Sequence, residues 1–135
     1  MLTTRTNRKY NISDILIVLF HLSQSRITVK IPDLHQVIFN LYGKYKDFFG
    51  EMIWQNRTFG PYCEKIHDCL MNMEMARLIC ELNDNYYYIY PKLHNRALTI
   101  IALDNQQSIF TDDEMKLLRE MALDFAQELS NLTPN

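Results

Sequence analysis

The chain has 135 residues, 47% of them hydrophobic and 22% charged, with a formal net charge of −2; these values suit one globular domain with a real core. No apolar run approaches the roughly 18 residues of a membrane span, no small-residue cleavage site follows Phe20, and three cysteines without a C-x-x-C suit reduced thiols in a cytoplasmic protein. A charge balance this close to neutral also argues against strong nucleic-acid binding, which leaves a basic footprint.

Residues 1–10 hold Arg5, Arg8 and Lys9 without an acid and read as a flexible basic arm. Ser13 suits an N-cap, with Ile12 and Ile17 as a hydrophobic staple across it. The first helix then runs to about Ser23. Ile15, Leu16, Leu19, Phe20 and Leu22 make it apolar over most of its circumference, which places it centrally in the core. Residues 26–31 alternate polar and apolar, as a short strand or extended linker does. Pro32 opens a second helix with Leu34, Val37, Ile38 and Leu41 as its buried stripe and Gly43 as its stop. Residues 44–57 read as a turn or short helix followed by an extended stretch.

Gly60 and Pro61 read as a tight turn launching a third helix, with Gly60 at the N-cap and Pro61 at the first helical position. Tyr62, Ile66, Cys69, Leu70 and Met73 then share one helical face. Residues 77–82 and 86–90 flank Asn83-Asp84-Asn85, a hairpin signal that Pro91 ends. In that second strand Tyr86, Tyr88 and Tyr90 fall on one face. Residues 97–103 are β-like and read as a third strand or buried connector, and 104–108 as a loop. Thr111 and Glu114 form a capping box for a last helix, about 112 to 130, whose stripe is Met115, Leu118, Met121, Ala122, Phe125 and Leu129. The expected architecture is α+β and mainly helical: a winged helix-turn-helix-like domain with a β-hairpin wing and a C-terminal amphipathic helix. It divides into the arm (1–10), a winged-helix-like core (11–110) and the last helix (111–135).

Little here points to catalysis. Cys63 and His67 stand four apart on the third helix, but a zinc site needs about four ligands, so Cys69 is expected in the core with Cys63 and His67 partly exposed, and no metal. His21 and His35 read as surface or boundary residues, and His94 as a loop residue without a partner. No nucleophile elbow, metalloprotease helix, P-loop or dinucleotide fingerprint is present, and three glycines leave little material for a phosphate-cradling loop. No enzyme activity and no cofactor is expected. The third helix sets Glu64, Asp68 and Glu74 against Lys65, an adverse balance for a helix entering the major groove. No Lys or Arg interleaves the tyrosines, which favours a wing covering neighbouring helices over a base-stacking platform.

Leu34-His35-Gln36-Val37-Ile38-Phe39-Asn40-Leu41-Tyr42 resembles a K-L-Q-K-L-L-Y helix, and Phe59-Gly60-Pro61-Tyr62-Cys63-Glu64-Lys65-Ile66 resembles a Y-G-P-Y-S-x-E-L turn and helix. Residues 70–79 resemble the run into a wing that follows, with Leu78-Ile79 as its last pair. These are motifs of the Panacea and SocA-like group and the related YwgA-type bacterial and phage proteins, and the similarity spans about residues 13–91. His35 replaces the usual basic residue, Arg77 stands where a glycine is common, and the last helix lies outside the match. The resemblance implies a small winged-helix-like domain without catalytic residues that acts by binding a protein, as an antitoxin or proteolytic adaptor.

Two readings follow. One is a non-enzymatic protein-interaction module binding through Gly60, Pro61 and Tyr62, through the tyrosine ribbon of Tyr86, Tyr88 and Tyr90, or through the last helix. The other is a weak or dimeric DNA-binding regulator using Arg5, Arg8, Lys9 and the wing. The last helix either pairs with its twin in a homodimer through Leu118, Met121 and Phe125 or packs back onto its own core. No membrane partner is expected.

Overall fold

Asn11 starts the fold. Its side-chain Oδ1 accepts the Ser13 N–H at 2.9 Å, and its carbonyl accepts the first amides of helix α1 (Ile12–Ser23). The expected cap at Ser13 is therefore two residues late, because Ile12 is already helical and buried. The computed structural model describes residues 11–23, 31–82, 86–101 and 110–132; of residues 31, 81, 82, 86, 87 and 132 the backbone alone is described. The strand or linker expected at 26–31 lies outside the described residues but for Ile31, which begins a helix.

Helix α1 is buried on nearly every side. Ile15, Leu16, Val18 and Leu19 are fully enclosed, and Ile12, Ile17 and Phe20 nearly so. An all-apolar helix of this kind needs cover all round, and it receives that cover from three later helices, α4 (Glu64–Met75), α5 (Pro91–Ile101) and α6 (Asp112–Leu132). Helix α2 (Ile31–Lys44) packs on α6 and is followed by a single turn, α3 (Lys46–Phe49). Gly43 lies within the last turn of α2 rather than after it. Among the described residues there are also two short antiparallel ribbons: β1 (Gln55–Arg57) with β2 (Gly60–Tyr62), and β3 (Ile79–Leu82) with β4 (Tyr86–Ile89). The molecule is α+β and mainly helical.

The helices are placed by stripes and fixed by caps. Ile66, Cys69, Leu70 and Met73 are the buried face of α4, as their spacing predicts. Thr111 and Glu114 form the capping box of α6: the Thr111 N–H donates to Glu114 Oε1 at 2.7 Å, and the Glu114 N–H to Thr111 Oγ1 at 3.1 Å. The second ribbon has Ile79 opposite Ile89 and Leu82 opposite Tyr86, which is the expected hairpin; its turn, 83–85, lies outside the described residues. Residues 91–101 differ from expectation. They form a helix, because Pro91 suits its first position and Leu93, Ala97 and Ile100, spaced four and three apart, are all buried. That arrangement outweighs the β-propensity of Thr99, Ile100 and Ile101.

Helix α4 ends in a Schellman motif. The Leu78 N–H donates to the Met73 carbonyl at 2.9 Å and the Arg77 N–H to the Glu74 carbonyl at 3.0 Å, with Leu78 and Met73 both buried. The motif puts Arg77 at φ 64°, a left-handed conformation that costs a side-chain-bearing residue about 1 kcal/mol. Arg77→Gly should therefore raise stability by about 1 kcal/mol in urea denaturation, whereas Arg77→Ala, which keeps the Cβ, should leave it nearly unchanged.

Candidate functional site

The Gly60-Pro61-Tyr62 segment is a strand, not the first turn of a helix. It pairs with β1 in the register Gln55 to Tyr62, Asn56 to Pro61 and Arg57 to Gly60, with Thr58 and Phe59 as the turn. Gly60 has φ 128°, open only to glycine, so its conformational freedom is used in a ribbon rather than at an N-cap. Helix α4 starts at Glu64, and Cys63 stands at its N-cap with extended backbone and no side-chain cap. Tyr62 is therefore outside α4 and does not extend its buried stripe.

His35 fastens this junction from α2. The Cys63 backbone N–H donates to His35 Nδ1 at 3.2 Å, so the neutral ring carries its proton on Nε2. The ring is fully buried and stacks on Tyr62, centroids 4.8 Å apart and planes 22° apart. Burial pushes its pKa down to about 4, helped by the charges of His67 and Arg57. The surface or boundary position expected for His35 is thus corrected. Its place at the edge of the Leu34–Val37–Ile38 stripe was the signal, since Leu34 and Ile38 are its helical neighbours. A neutral histidine whose acceptor nitrogen meets a backbone amide, not the Cys63 thiol, is a positioning group.

The outer face of the ribbon carries a cluster of aromatic rings and one guanidinium. The Arg57 guanidinium lies over the Tyr62 ring at 4.0 Å and is held flat by donating to Gln55 Oε1 from Nε and Nη2, at 3.1 and 2.8 Å. Phe59 meets Tyr62 edge-on at 6.3 Å and is 49% exposed. Along α2, His35, Phe39 and Tyr42 succeed one another on one side, and Phe39 and Tyr42 both meet Trp54, at 5.0 and 5.9 Å. Next to Trp54, Ile53 is 77% exposed, and Phe39 itself 40%. Buried N–H groups lie under this face: neither His35 Nε2 nor Trp54 Nε1 has a protein acceptor. Each such donor costs about 1–3 kcal/mol.

The other expected site residues fall elsewhere. Tyr88 is exposed and Tyr90 half-buried, with rings 5.5 Å apart and edge-on, while Ile89 between them is buried; the backbone of Tyr86 lies in β4. Arg5, Arg8 and Lys9 lie outside the described residues. Leu118, Met121 and Phe125 are completely buried within the single chain, where Phe125 meets Phe20 at 5.9 Å. They belong to the chain's own core and present no face to a twin helix. Cys63, like Cys69, is buried and His67 half-buried, so Cys63 is not the partly exposed residue expected. Among the described residues no three His, Cys, Asp or Glu side chains gather as a metal-binding group, and no helix is long and apolar enough to cross a membrane. His94 lies in α5, not in a loop, and its Nδ1 meets that of His21.

No protein-family model matches the chain, no curated protein matches its sequence and no solved structure matches its fold.

Two glycines give opposite expectations. Gly60→Ala should cost about 1–2 kcal/mol because of its backbone angle, the Gln36 side chain at 3.4 Å from an added Cβ being ordinary contact. Gly43→Ala, in the helix with open space around it, should stabilise by about 0.5–1 kcal/mol. Thermal melts of both variants check the pair.

His35 sets a pH dependence. Its pKa is about 4 folded against 6.5 for an ordinary histidine, so between those values the unfolded chain binds a proton that the folded chain refuses. The contribution is complete above pH 6.5 and is lost as pH falls toward 4; it amounts to roughly 2–3 kcal/mol. Urea denaturation at neutral pH and near pH 4.5 should show a smaller loss for His35→Phe than for the unmodified chain. Equal losses in both would remove His35 as the source.

Proposed function

We propose that the chain is a non-enzymatic protein-interaction module on a winged-helix-like core, binding its partner across the β1–β2 ribbon. The observation that carries this reading is the combination of an open strand edge with exposed aromatic anchors. β1 is exposed at all three positions and belongs to a two-stranded sheet, with β2 as its only strand neighbour among the described residues and α2 packed on β2. Its far edge is a template for an extended segment of another protein. Phe59, Phe39 and Ile53 flank it and offer the large apolar side chains that interface centres use. The ribbon is held in place by His35 and by the Arg57–Tyr62 stack, so little ordering is left to the binding step. The resemblance to the Panacea and SocA-like group supports the same class of role, antitoxin or adaptor.

The DNA-regulator reading draws no support from the described residues. Its basic arm is outside them, and the surface of α4 exposes Glu64 and Asp68 beside Lys65.

A photo-crosslinker placed at Phe59 should capture a partner in the source cell, and one placed at Leu123, 73% exposed on α6, should not. The combined Phe59→Ser and Ile53→Ser variant should keep the melting temperature and lose that partner at least about tenfold in affinity. Capture from Leu123 alone, or undiminished binding by the variant, would refute the ribbon as the binding face. Retention on random duplex DNA at low salt, lost when Arg5, Arg8 and Lys9 become Ala, would instead establish the regulator.

A further inference from the structure

Helices α1 and α5 meet at two histidines. His21 stands in the last turn of α1 and His94 one turn into α5. Their Nδ1 atoms are 3.0 Å apart, and their ring centroids 5.2 Å apart with planes at 57°. The centroid separation exceeds the nitrogen separation by close to two ring radii, so each nitrogen points nearly straight at the other. That is the shape of an N–H···N hydrogen bond. Two ligands converging on one ion would aim their lone pairs at a point off that line, so the pair is not a chelating one. Both side chains are half-buried, within reach of solvent protons.

The charged surroundings are sparse. From α5, Arg96 bears on Asp14, near the opposite end of α1. From α4 and α6, no charged group among the described residues bears on His21, and His94 is the one that does. No described carboxylate therefore offsets a positive charge on the His21 ring.

We propose that His21 and His94 form a proton-gated clasp between α1 and α5, closed with one or two protons fewer than the fully charged pair and opened by full protonation. In the neutral pair one ring donates its Nδ1–H and the other accepts. A first added proton goes to the outer Nε2 of the donor ring; the bond between the rings survives and becomes charge-assisted. A second must go to the accepting Nδ1. Two N–H groups would then face each other across 3.0 Å, each on a positive ring, and the contact has to break. Burial and the neighbouring His94 charge both push His21 below its ordinary value, in keeping with a second step opposed by the first. Tyr90 alone separates β4 from α5, so loosening α5 also reaches the β3–β4 ribbon.

The test uses the full chain. Imidazole nitrogen and carbon shifts followed by NMR from pH 8 to pH 4 should show His21 and His94 sharing two macroscopic steps, more than about one pH unit apart. Below the second step, amide exchange in residues 91–101 should accelerate at least about tenfold relative to α6. The comparison with α6 divides out the His35 effect, which acts on the whole fold. In His94→Gln, His21 should titrate in a single step and the extra exchange in α5 should vanish. Two histidines titrating independently within one unit of each other would overturn the clasp. So would α5 exchange that follows α6 at every pH, a result readable in the unmodified chain even if the variant folds poorly.

Discussion

The fold depends on a helix that cannot face water. Helix α1 presents apolar side chains around almost its whole circumference, and seven of its residues are buried. Each large side chain among them is worth about 1.5–3 kcal/mol in removal from water, so the chain gains most by surrounding α1 completely. Helices α4, α5 and α6 do this with one apolar face each. Their outer faces are mostly polar but leave Met75, Leu98 and Leu123 in water. The polar ties between α2 and α6 are secondary. Lys44 Nζ and the Tyr45 hydroxyl both donate to Asp124 Oδ2, at 2.9 and 2.7 Å, and the Asn40 amide donates to Glu128 at 2.9 Å. The ion pair is exposed on the surface, where such contacts contribute little; they set the register of two helices already brought together by the core.

The β1–β2 ribbon is attached differently. It contributes no side chain to the buried core, and Cys63, which follows it, has a thiol that gives the N-cap of α4 no hydrogen bond. A serine or aspartate there would satisfy the first amides of α4 locally. His35 serves a different group: its neutral nitrogen accepts the Cys63 amide, which lies just before the amides a cap would serve. One contact thereby fixes the start of α4, the end of β2 and the orientation of Tyr62 at once. The arrangement leaves His35 Nε2 and Trp54 Nε1 without protein acceptors, a cost that packing elsewhere has to offset. The ribbon is thus tied down by a buried polar contact and braced by an exposed cation–π stack while its outer side stays open to solvent.

How much of this was legible depended on whether the signal was local. The α6 capping box, the α4 stripe and the β3–β4 hairpin are set by residues within a few positions of one another, and their spacing revealed them. Helix α1 was legible because an uninterrupted apolar run admits few other placements. Gly60 and Pro61 were misplaced because glycine then proline suits both a helix start and a tight ribbon, and the deciding partner, β1, has no hydrophobic alternation to announce it. Residues 97–101 favour strand intrinsically; only the buried trio of Leu93, Ala97 and Ile100, packed on a helix seventy residues earlier, decides for α5. The fate of Leu118, Met121 and Phe125 was open for a similar reason. A stripe states that a face is buried, not whether its own chain or a twin covers it, and the unsatisfied surface of α1 supplied the answer. The His35–Cys63 and His21–His94 contacts join residues 28 and 73 positions apart, beyond the reach of any local pattern.

The histidines then share a logic. The body around α1 is held by apolar contact, which is indifferent to pH. At its edges two contacts, His35 to the β1–β2 ribbon and His21 to His94 beside the buried Leu93 of α5, each use an imidazole nitrogen that must remain unprotonated to accept a hydrogen bond. At His35 the acceptor is sealed from water and serves the whole fold; at His21 and His94 it is half-open and serves one helix. A proton reaches a half-exposed ring without unfolding the chain, whereas at His35 it has to wait for burial to fail. The proposed clasp therefore acts on the outer contact between α1 and α5 and, through Tyr90, on the β3–β4 ribbon, and it adds to an α5 already held on α1 by Leu93, Ala97 and Ile100.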